Sequence, residues 1–193
     1  MPGREEVDTA CQILGNLTDP KNHLDPISIL PIYAALPFDV QCKIFEGAEP
    51  GRRKVIVATN IAETSITVHG ILFVVDTGLF KESIFDNGIE TLKISPISRA
   101  QAEQRAGRAG RTAPGTCLRL YSQTDHEDMN LVPTPAIHRI DFIATALQLK
   151  AMGIDDIVGF GFMDAPKPSR FPLFVHQKIN ETRYLITRQH LIL

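Results

Sequence analysis

The stretch from Gln104 to Arg111 has the residue types and spacing for phosphate chemistry. Read as one helix, it places Gln104, Arg108 and Arg111 at i, i+4 and i+7, on a single face. An arginine fork binds two phosphate oxygens at once, which lysine does not reproduce. The spacing predicts a pair of arginine fingers that neutralise charge on a transferring phosphoryl group, with Gln104 positioning water or phosphate.

Two glycines, Gly107 and Gly110, separate these arginines. Each destabilises a helix interior by about 1 kcal/mol relative to alanine. We therefore expect a large group to approach the motif closely, where a side chain would interfere. The alternative is a solvated basic helix face, which is the usual explanation of an arginine cluster. The motif alone leaves both interpretations open, and a second motif upstream favours the fingers.

This second motif covers residues 58–65 and directly follows the apolar run of residues 54–58. A continuous β-branched run is typical of a central parallel strand. Parallel α/β sheets bind ligands at the carboxyl ends of their strands, where hydroxyl, amide and backbone N–H groups can hold phosphates. An N-capping turn with satisfied polar groups would use the same residue types, so this motif does not decide by itself.

Helices and strands alternate around the two motifs. Apolar spacing predicts a helix over residues 5–17 and a second one from Pro37 to Glu46, with Val40, Ile44 and Phe45 facing inward. Further helices are expected to start near residue 98 and to end at residue 153. Strands are expected over residues 27–35, 54–58, 71–75 and 116–121. The alternation predicts an open α/β sheet.

The dipeptide Asn87-Gly88 lies between two strand-like runs, residues 80–85 and 89–94. Asn-Gly suits a type I′ turn, because that turn needs a positive φ at both central residues. The pattern predicts a β-hairpin, although a plain extension of the sheet would give the same pattern.

The composition excludes several classes of protein. The 193 residues are 44 % hydrophobic and 22 % charged with a formal net charge of −2, so nucleic-acid binding would have to come from a local patch. Cysteine and histidine spacing predicts neither a disulfide framework nor a metal site. The sequence contains no signal peptide and no run of about 18 apolar residues, so we expect no membrane partner and a location in the nucleus or cytoplasm.

Together the motifs resemble the second RecA-like domain of DEAH-box RNA helicases, from about residue 3 to residue 166. Residues 3–6 are similar to the end of that family's motif IV, residues 30–46 to its IVa segment, residues 59–65 to motif V and residues 104–111 to motif VI. Residues 153–156 and 162–166 resemble the start of its winged-helix domain. The sequence resembles viral-type DExH helicases less closely, because those proteins have no counterpart of residues 153–156 and 162–166.

The resemblance implies a RecA-like open parallel sheet with flanking helices and an inserted β-hairpin. Residues 1–135 would form the second RecA-like domain, and residues 136–166 the start of the winged-helix domain. Residues 167–193 match nothing in the family. We expect this tail to be poorly ordered, because Pro168 and Pro172 interrupt any regular element and chain ends are ordered only when tied down.

The resemblance also implies roles for residues at the nucleotide. Arg108 and Arg111 would be the fingers that reach the γ-phosphate, and Gln104 would assist them. Phe45 matches the aromatic residue that stacks on adenine, although an ordinary core phenylalanine is the alternative.

Four further positions match residues that line the family's ligands. Thr67 and His69 lie where the family contacts the nucleotide, and Thr59 and Asn60 lie near the RNA backbone. The family usually has an acidic residue in place of His69, close to the ribose. A carboxylate accepts hydrogen bonds from ribose hydroxyls better than a neutral imidazole, so we expect a weaker contact here.

The sequence contains neither G-x-x-x-x-G-K-[ST] nor D-E-A-H, which belong to the family's first RecA-like domain. The resemblance therefore implies that ATP with Mg²⁺ binds only together with that domain, and that the isolated chain is inactive. The expected partners are RNA, the first RecA-like domain and a glycine-rich activator protein. The expected function is the second motor domain of an ATP-dependent RNA helicase in RNA processing, such as mRNA splicing. The alternative is a truncated, non-catalytic product that binds RNA or a partner.

Overall fold

The computed structural model describes residues 1–18, 26–86 and 89–166. The helices are α1 (Arg4–Leu17), α2 (Phe38–Cys42), α3 (Ile61–Thr64), α4 (Arg99–Ala106), α5 (Gln123–Asp128) and α6 (Ile143–Ala151). The strands are β1 (Ile27–Ile32), β2 (Arg53–Ala58), β3 (Phe73–Asp76), β4 (Leu79–Asp86), β5 (Ile89–Pro96) and β6 (Thr116–Arg119). The chain divides into two compact units. The first comprises Met1–Glu82 and Lys93–Pro133, and the second comprises Ser83–Leu92 and the described residues from Thr134 onward.

Parallel strand pairing confirms the α/β class. Strand β1 pairs with β2, with Ile27 opposite Arg53, and β3 pairs with β6, with Phe73 opposite Thr116. Within the described residues these pairs form two separate two-stranded sheets, instead of the single open sheet that the sequence predicts. No described strand is hydrogen-bonded to both β2 and β3.

Helix α1 packs on the first strand pair in the first unit. Val7 is fully buried and forms a cluster with Tyr33 and Val57. Glu5 and Glu6 lie in the first turn of α1, where negative charge favours the helix dipole. This packing fixes β2, and therefore the place where the polar segment after residue 58 begins.

Helix α4 is fixed by a second cluster of the first unit. Ala102 is fully buried against Ile97 and Met129. The helix begins after Ser98, as its sequence predicts, because Ser98 and Gln101 form a capping box. The end of α4 thus has a defined position from which the arginine motif continues.

Helix α2 is shorter than the sequence predicts. It starts after Pro37 and ends at Cys42, and a 3-10 turn continues over Lys43–Phe45. The tighter turn rotates the side chains. As a result Ile44 is buried but Phe45 is 58 % exposed, so the prediction that Phe45 faces inward is wrong.

The second unit has its own core on α6, where Phe142, Ala146, Leu149 and Ile157 are buried. Gly153 has a φ of 83° just beyond α6, which confirms the predicted glycine end of this helix. The proposed domain boundary at residues 135 and 136 stays a prediction.

Strands β4 and β5 pair with each other in a two-stranded sheet. The Asn87-Gly88 turn lies outside the described residues, so the inserted hairpin stays a prediction. The expectation for the tail, residues 167–193, also falls outside the described part of the chain.

Candidate functional site

The arginine motif is helical only in its first part. Helix α4 ends at Ala106, and Gly107 is its C-cap, so the prediction of one continuous helix is wrong. The backbone N–H of Arg108 donates to the carbonyl of Arg105 at 3.1 Å, three residues back. Glycine is a poor helix former, which explains the end of α4. Arg108 and Arg111 therefore lie beyond the helix.

The approach of a large group to the glycines of the motif stays a prediction. A Cβ atom at Gly110 would meet no atom within 4 Å. A close backbone contact within the chain occurs at Gly115, where a Cβ would collide with the carbonyl oxygen of Ala109. Packing of the chain on itself therefore requires glycine at Gly115.

Arg108 and Arg111 both contact the segment that follows β2. Arg108 Nη1 donates to the carbonyl of Ile66 at 3.1 Å, and its Nη2 donates to the carbonyl of Glu63. Arg111 Nη1 donates to Thr67 Oγ1 at 2.6 Å. The structure thus brings together the two motifs that the sequence singles out.

One donor of Arg108 remains free among the described residues. Its Nε atom is buried and has no hydrogen-bond partner there. Burial lowers the pKa of Arg108, the charge of Arg111 lowers this pKa further, and Glu63 raises it. Because a guanidinium stays protonated in proteins, the side chain is a cation whose Nε lacks an acceptor among the described residues. An anion beside Arg108 would satisfy Nε and offset the repulsion by Arg111.

Arg105 lies in a buried ionic cluster that sequence reasoning missed. Its Nε donates to Glu63 Oε2 at 2.9 Å and its Nη1 donates to Asp76 Oδ1 at 2.8 Å. Nη1 and Nη2 each donate to the carbonyl of Leu79 at 3.2 Å. The side chains of Arg105, Glu63 and Asp76 are only 11 %, 6 % and 0 % exposed. Asp76 could have indicated this cluster in the sequence, because it is a carboxylate at the end of the apolar strand β3.

Asp76 accepts further hydrogen bonds that complete the cluster. The backbone N–H of Gly78 donates to its Oδ1, and the Tyr121 hydroxyl donates to its Oδ2, both at 3.0 Å. Burial raises the pKa of Tyr121 to about 12, with Asp76 as the second cause. Gly78 has a φ of 72°, and a Cβ there would lie 2.6 Å from the Tyr121 ring, so this position requires glycine.

Residues 2–113 match the model of the family described as "Helicase conserved C-terminal domain", which is over half of the chain. The chain belongs to this helicase family. It is 51 % identical over 170 residues to the pre-mRNA-splicing factor ATP-dependent RNA helicase prp22 of Schizosaccharomyces pombe, covering 86 % of this chain and 15 % of that protein.

The crystal structure of the DExH-box NTPase HrpB of E. coli is also similar, with a TM-score of 0.78 and 31 % identity. This match covers 94 % of the chain and 22 % of HrpB. The chain therefore spans less than a quarter of each relative. The matches confirm the expected resemblance to DEAH-box helicases and the RecA-like fold class.

The remaining predicted residues of this helicase domain lie at its surface or half-buried. Thr59 is half-buried, and its backbone N–H donates to the carbonyl of Ile32 at 3.1 Å. Asn60 is the exposed N-cap of α3, but its side chain makes no capping hydrogen bond, so the satisfied N-cap alternative is wrong for Asn60.

His69 is exposed, and Gln104 is exposed on α4 outside the contacts of Arg108 and Arg111. Phe45 is not a core residue.

Two further features, a metal-binding cluster and a membrane-spanning helix, are not found in the part of the chain that the structure describes. No group of three or more His, Cys, Asp or Glu side chains in residues 1–18, 26–86 and 89–166 is suited to a metal ion. Over the same residues, no helix has the length and apolar character to cross a membrane. The candidate site is the arginine motif together with the segment after β2, which Arg108 and Arg111 contact.

Proposed function

We propose that the chain is the second motor domain of an ATP-dependent DEAH-box RNA helicase. Arg108 and Arg111 act in it as arginine fingers on the transferring phosphoryl group, and Gln104 assists them. ATP with Mg²⁺ supplies that phosphoryl group when it is bound by the first RecA-like domain. The residues of this chain then neutralise charge on the phosphate oxygens and hold the arginines in position.

The observation that supports the fingers most strongly is the unused Nε of Arg108. A buried donor without a partner costs about 1–3 kcal/mol, which a protein tolerates where a ligand supplies the acceptor. Burial lowers the pKa of Arg108 and the charge of Arg111 lowers it further, so an anion beside this side chain would be favourable. On a fully solvated basic face, the Nε of Arg108 would be open to water, whereas here it is buried.

In this proposal, the nucleotide and the RNA bind to residues that are exposed or half-buried in the structure. Phe45 is exposed and offers its ring to adenine, and Thr67, which binds Arg111, lies with exposed His69 along the same segment. Asn60 has an exposed side chain without a capping bond, and Thr59 precedes it. These two residues would contact the RNA backbone, which is the usual target of sequence-independent contacts.

The partners follow from the same proposal. They are RNA, the first RecA-like domain of the same helicase and a glycine-rich activator protein. The name of the relative prp22 describes a pre-mRNA-splicing factor and ATP-dependent RNA helicase. That similarity supports a role in RNA processing in the nucleus. The isolated chain is inactive in this proposal, because hydrolysis needs groups from both RecA-like domains.

The test uses a full-length helicase that carries this segment. Arg108→Ala and Arg111→Ala should each lower kcat for ATP hydrolysis by on the order of 10³–10⁵ while RNA affinity stays within about twofold, since this account places the RNA backbone at other residues. The control is Arg119→Ala, which removes an arginine that pairs with Glu103 in a half-exposed ion pair. Equal losses of kcat and RNA affinity would make the arginines a phosphate-backbone patch, as in the non-catalytic alternative.

A further inference from the structure

Arg105, at the end of α4, connects the arginine motif to the segment after β2 through its contact with Glu63. We propose that Arg105 is a positioning residue, which ties α3 to the end of α4 so that the carbonyls of Glu63 and Ile66 hold the Arg108 guanidinium in a fixed place. The inference rests on the proposed function, because it requires Arg108 to act on phosphate.

All three nitrogens of the Arg105 guanidinium are used. They donate to Glu63 on α3, to Asp76 at the end of β3 and to the Leu79 carbonyl. These acceptors come from different elements, and only a planar fork with several donors contacts them together. A lysine side chain has a single nitrogen and would lose some of these hydrogen bonds.

Glu63 is shared between Arg105 and Arg108. Its carboxylate accepts from Arg105, and its backbone carbonyl accepts from Arg108. Any displacement of Glu63 therefore moves an acceptor of Arg108. Glu63 is also 6 % exposed, so water is poorly placed to replace its partner.

Helix α3 depends on this tie for its position. It has only four residues, Ile61–Thr64, and no side-chain cap. A helix this short has almost no stability of its own, so tertiary contacts determine where it lies. Glu63 is the buried residue of α3 and provides the ionic contact to Arg105.

Helix α4 does not depend on Arg105 in the same way. Ala102 is fully buried, and the capping box of Ser98 and Gln101 fixes the start of the helix. A change at Arg105 should therefore leave α4 in place and release α3 with the carbonyls that hold Arg108. Since misplacing a catalytic group by about 1 Å costs on the order of 10² in rate, we expect a kinetic effect in a folded protein.

The experiment compares Arg105→Lys with Arg119→Lys in a full-length helicase carrying this segment. Arg119 is the matched control, because its Nη2 donates to Glu103 of α4 at 2.7 Å on the surface. At saturating ATP and RNA, Arg105→Lys should lower kcat by on the order of 10–10². The KM for ATP and the affinity for RNA should each stay within about twofold of the parent, because the residues that contact these ligands are unchanged. Arg119→Lys should keep kcat within about twofold, as expected for an exposed pair.

A second readout uses the 193-residue chain itself. The Nε–Hε signal of Arg108, in protein with isotope-labelled arginine, should shift or broaden in Arg105→Lys and stay unchanged in Arg119→Lys. If Arg105→Lys does not fold, Glu63→Gln keeps the shape and one oxygen acceptor of the side chain. This second variant should change the Arg108 signal and kcat in the same direction by less.

Arg108→Ala is assayed in parallel to separate this inference from the proposed function. If Arg108→Ala loses kcat while Arg105→Lys keeps full kcat and an unchanged Arg108 signal, the positioning role is overturned and the proposed function stands. If Arg108→Ala keeps full kcat, both are overturned. A loss of kcat in both variants, with KM and RNA affinity retained, supports both.

Discussion

Arg105 and Arg108 are three residues apart in one motif but lie in opposite environments. Arg105 is 11 % exposed, and its nitrogens donate to two carboxylates and a carbonyl of the domain. Arg108 donates to two carbonyls and keeps a buried Nε without a partner among the described residues. The difference teaches that residue type does not assign a role. An arginine whose guanidinium nitrogens all donate within the domain stabilises the fold, and an arginine with an unpartnered nitrogen is available to a ligand.

The largest effect expected from this comparison is the removal of Asp76. Asp76→Ala takes an acceptor from Arg105 and leaves the Gly78 N–H and the Tyr121 hydroxyl without theirs. Breaking a buried ion pair in this way should lower the free energy of unfolding by about 3–5 kcal/mol. Urea denaturation of the 193-residue chain measures it.

The control for Asp76 is Asp8→Ala, because Asp8 pairs with Arg4 on the surface of α1 at 3.3 Å. An exposed pair contributes about 0–1 kcal/mol. If both variants lost the same small amount, the cluster around Arg105 would not stabilise the domain, and the contrast between Arg105 and Arg108 would fail.

A smaller effect is expected from Tyr121 at high pH. Its folded-state pKa is raised from 10.0 to about 12, so its contribution is complete below pH 10 and is lost as the pH rises towards 12. The stability of the chain should therefore fall between these two pH values. Tyr121→Phe should remove part of that slope, as measured by urea denaturation at a series of pH values. An identical slope in both proteins would place Tyr121 outside the cluster.

The sequence predicts the local elements of this domain well, because their signals are local. The apolar spacing around Val7 predicts α1, and the β-branched run around Val57 predicts β2. The ionic cluster was not predictable in the same way. The partners of Arg105 lie 42 and 29 residues away, at Glu63 and Asp76, and no periodicity encodes such a contact.

Two errors at the site have physical causes. The i, i+4, i+7 spacing predicts one helix through Arg111, but Gly107 ends α4 and places Arg108 in a turn. The helical period places Phe45 inward, but the change from α2 to a 3-10 turn rotates this side chain to the surface. In both cases a few residues at a helix end decide the direction of a functional side chain.

The most direct test of the central claim is kcat for ATP hydrolysis by Arg108→Lys, in a full-length helicase carrying this segment, at saturating ATP and RNA. Lysine keeps the positive charge but loses the fork and the Nε donor that Arg108 leaves free. We expect a loss of kcat on the order of 10² or more, with RNA affinity within about twofold of the parent, because the RNA backbone is placed at other residues. A kcat within about twofold of the parent would contradict it and leave Arg108 a structural residue like Arg105.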